Sequence, residues 1–262
     1  MRNGPLRLDL AYDGTDFRGF ARQPGKRTVQ GVLEEALGRV LGTAPRVSVA
    51  GRTDAGVHAE GQVVSFEADG DPERVQRSLN AMMAPEVVVL RARRAPPGFD
   101  ARRSATAREY RYRIRAGTVP SPFTARYEWH RPGQYEVGRM RRAARLLEGE
   151  HDFASFCRAA AGGSRSTVRT VERLAVRREG EALEIGARAG SFLHQMVRSL
   201  VGTLLAVGEG KMEPETMPEV LEARSRGAAG PVAPPHGLTL VRVVYGQSPS
   251  RPAETLGRGE PS

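Results

Sequence analysis

The chain has 262 residues, long enough for one large domain or two modest ones with a substantial core. Forty Lys+Arg against thirty Asp+Glu give a formal net charge of +10, which favours a polyanionic partner such as nucleic acid, although the scarcity of lysine (Lys26 and Lys211 only) is also what a GC-rich genome produces. The single Cys157 excludes an internal disulfide, no stretch reaches the ~18 apolar residues of a membrane span, and Met1 to Arg7 holds no apolar signal region, so a cytoplasmic protein is expected.

Leu6, Leu8, Leu10 and Tyr12 alternate with polar or small residues, the period of a strand with one buried face. After the turn at Asp13-Gly14-Thr15-Asp16, apolar residues from Val29 to Leu41 recur at helical spacing behind a Thr28 cap. Arg46 to Ala50 and Gln62 to Phe66 read as strands, leaving Gly51 to Gly61 as the loop between them. A helix over Pro72 to Met82 and a strand over Val87 to Arg93 complete a first α/β half that ends near residue 104. Next comes a strand, Ala107 to Arg115, with Tyr110, Tyr112 and Ile114 on one face and Glu109, Arg111, Arg113 and Arg115 on the other. It belongs to a region, Arg91 to Arg115, where nine arginines face only Asp100 and Glu109, an excess able to neutralise several phosphates.

Residues 116 to 136 are rich in Pro and aromatics and read as an excursion, followed by a helix from Val137 to Leu147. Residues 158 to 170, with Arg165 and Arg169 among hydroxyls and glycines, read as a mobile loop. Strands are expected at 171 to 178 and 182 to 189. A strongly amphipathic helix then runs from Leu193 to Leu205, with His194 and Arg198 at the edge of its apolar stripe. A helix over Pro214 to Arg224 and a strand over Leu238 to Val244 finish the second half, 105 to 246, and 247 to 262 is too polar and Pro/Gly-rich to pack. Short strands with about two helices in each half, without regular βαβ alternation, predict an α+β fold with a mixed, mainly antiparallel sheet and a central cleft.

The chemistry-bearing segment is Gly51-Arg52-Thr53-Asp54-Ala55-Gly56: two glycines permit close backbone approach, and a cation and an anion share one short loop. On its own this reads more readily as a surface turn, with Asp54 as a local cap or an exposed ion-pair partner. A glycosidase-like carboxylate pair is absent, the five histidines are scattered, and no phosphate-binding glycine loop occurs. One carboxylate in an arginine-rich setting remains.

Together with Tyr12-Asp13-Gly14-Thr15, Gly19-Phe20, Gly61-Gln62-Val63, Arg108-Glu109-Tyr110-Arg111-Tyr112 and Ser191-Phe192-Leu193-His194-Gln195-Met196-Val197-Arg198, that segment resembles the TruA family of tRNA pseudouridine synthases, the landmarks falling in the family's order from about residue 7 to 245. The resemblance implies the pseudouridine synthase fold and conversion of uridine to pseudouridine at positions 38, 39 and 40 of the tRNA anticodon arm, by a homodimer without cofactor or metal. By matched position it implies Asp54 as catalytic nucleophile, attacking either the ribose or the base or aiding removal of a ribose proton. It implies Arg52 for holding the opened stack or a phosphate once the target base is flipped out, Arg198 as the partner of Asp54, and Tyr110 for stacking on uracil and serving proton transfer at C5. Arg165, Arg169, Phe192 and His194 join Tyr110 and Arg52 as expected substrate-binding residues. Tyr112 reads as a sheet tyrosine. Phe20-Ala21-Arg22 and Asp100 depart from the family pattern and bear on docking more than on catalysis. A non-catalytic RNA-binding module with the same fold is the alternative, distinguished by binding tRNA without forming product.

Overall fold

The computed structural model describes residues 4–158 and 166–246. Arg165, most of the loop expected at 158–170, and the segment from 247 onward lie outside the described residues.

Among the described residues ten strands form one sheet. In chain order the elements are β1 (Leu6–Tyr12), α1 (Val29–Leu41), β2 (Ser48–Val49), β3 (His58–Phe66), α2 (Pro72–Met83), β4 (Val87–Arg94), β5 (Ala105–Arg115), β6 (Trp129–His130) and α3 (Val137–Leu146). Then follow β7 (Gly149–Asp152), β8 (Val168–Glu179), β9 (Ala182–Ala189), α4 (Met196–Gly208), α5 (Met217–Glu222) and β10 (Leu238–Tyr245). The main strand order is β4-β1-β3-β10-β5-β9-β8-β7, with β2 on β3 and β6 on β5. Pairing is antiparallel except between β10 and β3 and between β5 and β6, which makes an α+β, mainly antiparallel sheet.

The last strand closes the architecture. β10 inserts between β3 and β5, so the sheet runs continuously from the first segment of the chain to the second. On its inner face Leu240 packs with Leu8, Leu10, Leu33, Leu37 and Leu79 of one core, and Leu238 packs with Tyr112, Ile185, Leu200 and Leu204 of the other. Both cores therefore cover the same face of the sheet. Tyr110, opposite Leu240 on β5, packs against both, which puts it at the seam. Burial of each such leucine stabilises the fold by about 1.5–3 kcal/mol.

The outer face carries charge, and most of it is paired. Arg242 and Arg188 both hold Glu109, Arg188 also holds Glu172, Arg111 binds Glu60, and Arg113 lies 3.8 Å from Glu184. Several arginines of the 91–115 region are thus tied to acids from neighbouring strands, which the local sequence count could not reveal.

Several boundaries moved. Only Ser48–Val49 of the strand expected at 46–50 pairs, while β3 starts four residues early, because His58 and Ala59 pair with Thr239 and Leu240. The helix expected from Leu193 begins at Met196: Gln195 has φ 62°, a left-handed conformation that breaks the helix and leaves Leu193 and His194 in the preceding turn. α4 is also buried all round except at Arg198, rather than amphipathic. β8 begins at Val168, so Arg169 lies on a strand. The polar edge strand β7 and the short β6 were not anticipated, and the helix expected over 214–224 is a 3₁₀ turn, Pro214–Thr216, followed by α5. Among the described residues no helix is long and apolar enough to cross a membrane.

Candidate active site

Asp54 sits on the loop between β2 and β3, and buried polar groups hold that loop from below. Gln62, fully buried, donates from Nε2 to the Gly51 carbonyl at 2.6 Å and to the Tyr12 hydroxyl at 3.3 Å. The Tyr12 hydroxyl shares a 2.8 Å hydrogen bond with Thr53 Oγ1. Burial is the main force pushing the Tyr12 hydroxyl pKa up to about 12, so this network stays protonated. From the side, the backbone N–H of Phe20 donates to the Thr53 carbonyl at 3.1 Å, and that of Gly56 to the Phe17 carbonyl at 3.3 Å. The approach is so close that a Cβ on Gly19, whose φ is 92°, would lie 2.9 Å from the Thr53 oxygen. The Tyr12-to-Thr15 and Gly19-Phe20 segments thereby serve to seat the Asp54 loop.

Two side chains from the segment that borders the other core meet the carboxylate. Arg198, in the first turn of α4, donates from Nη1 to Asp54 Oδ2 at 3.1 Å. Its Nε donates to the Ala233 carbonyl at 2.7 Å, and the Ala233 N–H returns a bond to the Arg198 carbonyl at 3.1 Å, which fixes the guanidinium before it reaches the acid. His194 places Nε2 3.4 Å from Asp54 Oδ1 and is 52% exposed. Asp54 thus faces one anchored cation and one open imidazole.

Tyr110 rises from the sheet seam beside the loop. A Cβ on Gly51 would stand 3.6 Å from its hydroxyl, and its ring meets Phe192 edge-on with centroids 5.3 Å apart. That hydroxyl has no hydrogen-bond partner among the described residues. Burial drives its pKa strongly upward, Tyr12 and Asp54 push the same way, and Arg108 opposes them, so the group is neutral at physiological pH. Tyr112 is fully buried and donates to the Pro234 carbonyl at 2.8 Å, a core residue as its strand position suggested.

Asp54, Arg198, His194, Tyr110 and Phe192 are therefore gathered at one place. Arg52 is exposed on the same loop, with no ion pair or side-chain hydrogen bond among the described residues. Arg169 is not brought there: its guanidinium donates to the carbonyls of Ser166 at 2.8 Å and Val168 at 2.6 Å, on a strand separated from β3 by β9, β5 and β10. Among the described residues no three His, Cys, Asp or Glu side chains converge to hold a metal ion. A shallow cavity of about 390 Å³ lies on the outer face, beside Asp13, His58, Glu60 and Tyr127, with none of the Asp54 group in its wall.

Sequence reasoning gave no role to Gln62, Tyr12 or Arg108. One signal was available for Arg108, since it shares the parity of Tyr110 and Tyr112 on β5 and is thus an arginine on the buried phase of a strand.

The sequence profile of the tRNA pseudouridine synthase family matches residues 10–102 and 143–246, more than half of the chain. The chain belongs to that family. It is similar to tRNA pseudouridine synthase A of Frankia casuarinae, 49% identical over 251 residues that span 93% of this chain and 90% of the relative. The protein of that name from Geobacillus sp. (strain WCH70) is 42% identical, over 92% of this chain and 98% of its own. That from Methylobacterium nodulans is 45% identical, over 91% and 95%. Among solved structures the likeness is remoter: a chain of a Cbf5-Nop10-Gar1 complex gives a TM-score of 0.36 at 14% identity, covering 90% of this chain and 58% of that one, too weak to add to the family match. The tRNA pseudouridine synthase family is thus represented here with its Gly-Arg-Thr-Asp loop whole and seated on a polar floor.

Proposed function

We propose that the protein isomerises uridine to pseudouridine in the anticodon arm of tRNA, at positions 38, 39 and 40, with Asp54 as nucleophile. The observation that carries this reading is the arrangement around Asp54: a carboxylate held by an anchored arginine on one oxygen and approached by a histidine on the other, beside a neutral tyrosine at the seam of two cores. Isomerisation breaks the bond from C1′ to N1, turns the freed uracil and joins C1′ to C5. N1 ends with a proton and C5 loses one, so oxidation state and atom count are unchanged, and the chemistry needs no redox cofactor.

Each residue has a task in that sequence. The target base is taken out of its stack, at a cost of a few kcal/mol, with Arg52 on the exposed lip of the loop to hold RNA phosphate or the vacated stack. Tyr110, braced by Phe192, offers a face for the uracil worth about 1–3 kcal/mol. Because its hydroxyl stays neutral, it serves the C5 proton as a relay, handing its own proton to water or to the released Asp54 carboxylate as it takes that one, instead of acting as a phenolate base. Arg198 aims Asp54 and stabilises its charge by a charge-assisted hydrogen bond. Phe192 and His194 border the base. A homodimer in the cytoplasm, each tRNA lying across both subunits, completes the reading.

The test uses unmodified tRNA with uridine at position 39, incubated with wild-type protein and with Asp54→Asn, followed by chemical mapping of pseudouridine. Product from the wild type alone is expected. Equal product from both sinks the role of Asp54, and tight, salt-dependent binding without product from the wild type identifies a non-catalytic RNA-binding module.

A further inference from the structure

Arg108 is only 8% exposed, and every hydrogen bond made by its guanidinium goes to a main-chain carbonyl. Nε and Nη2 donate to Ala50 at 3.1 and 2.7 Å, Nη1 to Gly190 at 2.6 Å and Ala105 at 3.2 Å, and Nη2 also to Arg102 at 2.9 Å. No carboxylate pairs with it among the described residues. A buried cation without a counterion is costly, and burial lowers its pKa. The carbonyl dipoles offset that cost, and two of them belong to segments that matter.

Ala50 leads directly into Gly51-Arg52-Thr53-Asp54. Gly190 opens the turn that carries Phe192 and His194 and runs into Arg198. These two segments, 140 positions apart in the sequence, supply both sides of the contact at the Asp54 carboxylate. One rigid, planar fork grips the root of each. Gln62 and Tyr12, by contrast, hold only the Asp54 side. The Arg108 stem also runs beneath the loop, since a Cβ on Gly51 would lie 3.8 Å from its Cγ.

We propose that Arg108 is a positioning residue of the active site: by clamping Ala50 to Gly190 it sets the distance between the Asp54 loop and the 190–198 segment, and so the contact of Arg198 with Asp54. Lysine cannot replace it, because a single ammonium does not span carbonyls on two sides as the guanidinium fork does. The kinetic arm of the test rests on the isomerase reading above, whereas the structural arm does not.

The experiment compares wild type with Arg108→Lys, which keeps the charge, for kcat and KM on unmodified tRNA, for thermal unfolding, and by crystal structure. A displacement near 1 Å at the reacting groups lowers kcat by about a hundredfold. KM is expected to stay within about twofold, because RNA contacts are not removed. The Lys variant in an Arg198→Lys background is expected to add little further loss, since both changes act on one contact. Wild-type kcat per folded molecule, a change confined to KM, or fully additive losses would overturn the proposal. Should Arg108→Lys give little folded protein, Arg108→Ala assayed with millimolar guanidinium is the second arm: recovery of kcat at constant KM supports the clamp, and no recovery in folded protein overturns it. If the wild type forms no pseudouridine, the isomerase reading fails by itself. The clamp is then read from the Arg108→Lys structure, where an Asp54–Arg198 contact unchanged at 3.1 Å overturns it and a parted contact supports it.

Discussion

Beneath the loop that carries Asp54, Tyr12, Thr53, Gln62 and Arg108 are all buried and each is hydrogen-bonded, whereas Arg52 and His194 on the open side are exposed and largely unsupported. The lower region is finished before any ligand arrives. The upper one is left for a ligand to complete. Such a division suits a reaction in which charge must be met by groups that do not reorganise, while the substrate is large and must be admitted from solvent. Changes below are expected to act on the chemical step, and changes above on binding and its salt dependence.

Tyr110 stands where the two regions meet, and after Asp54 itself it carries the largest expected effect. Tyr110→Phe keeps the ring against Phe192 and the stacking face but deletes the hydroxyl. If that hydroxyl relays the C5 proton, single-turnover kcat falls by about 10²–10⁴ with little change in tRNA affinity. A Phe variant with the wild-type rate would reduce Tyr110 to a stacking platform and move the proton relay to the open side.

The buried floor also makes a prediction about pH. The Tyr12 pKa lies at about 12 in the folded state against 10.0 ordinarily, so the folded protein holds this proton more tightly than the unfolded chain does. Its contribution is therefore fully present below pH 10 and is lost as pH rises through about 12. Two pKa units on a group only 4% exposed correspond to a loss on the order of 3 kcal/mol. Tyr110, Tyr112 and Tyr245, all raised as well, add to the same slope. Urea unfolding at successive pH values should show it, with Tyr12→Phe less stable at neutral pH but flatter above pH 10. An equally steep decline in the Phe variant would remove Tyr12 from the account.

Arg198 tests whether the floor extends to the second core. Arg198→Gln keeps a donor but removes the charge beside Asp54, a loss of about 1.5–3 kcal/mol for a hydrogen bond to a charged group, or roughly a 10- to 100-fold fall in kcat. A rise in KM alone would instead class Arg198 with the RNA-facing residues.

What could be read in advance follows the same division. β1, α1, α2, β4, β9 and β10 were legible to within a residue or two because long apolar periodicities and a Thr28 cap mark them locally. The start of β3, the left-handed Gln195 and the polar β7 were not, since they depend on pairing partners and a turn conformation that no periodicity encodes. At the site, the Gly51-to-Gly56 motif marks Asp54, but it is silent on what lies below it. Gln62 reads as an interruption in an apolar strand and Arg108 as one more basic residue until the fold brings Ala50 and Gly190 to its guanidinium. Arg169 shows the opposite case: a cation in a polar segment looked free, whereas part of its guanidinium donates to neighbouring carbonyls on a strand away from Asp54.

Arg52 is the counterexample to Arg169 and carries the smallest expected effect. It shares a loop with Asp54, yet among the described residues nothing holds its side chain, so a phosphate would be its first strong partner. Arg52→Ala is then expected to weaken tRNA binding at low salt and to reduce the slope of log affinity against log salt by about one, while kcat at saturating tRNA changes little. Fluorescence titration of tRNA at several salt concentrations, paired with single-turnover rates, separates the two quantities. A large fall in kcat with the salt slope intact would place Arg52 at the reacting base, and would mean that the open side of the site contributes to the chemical step after all.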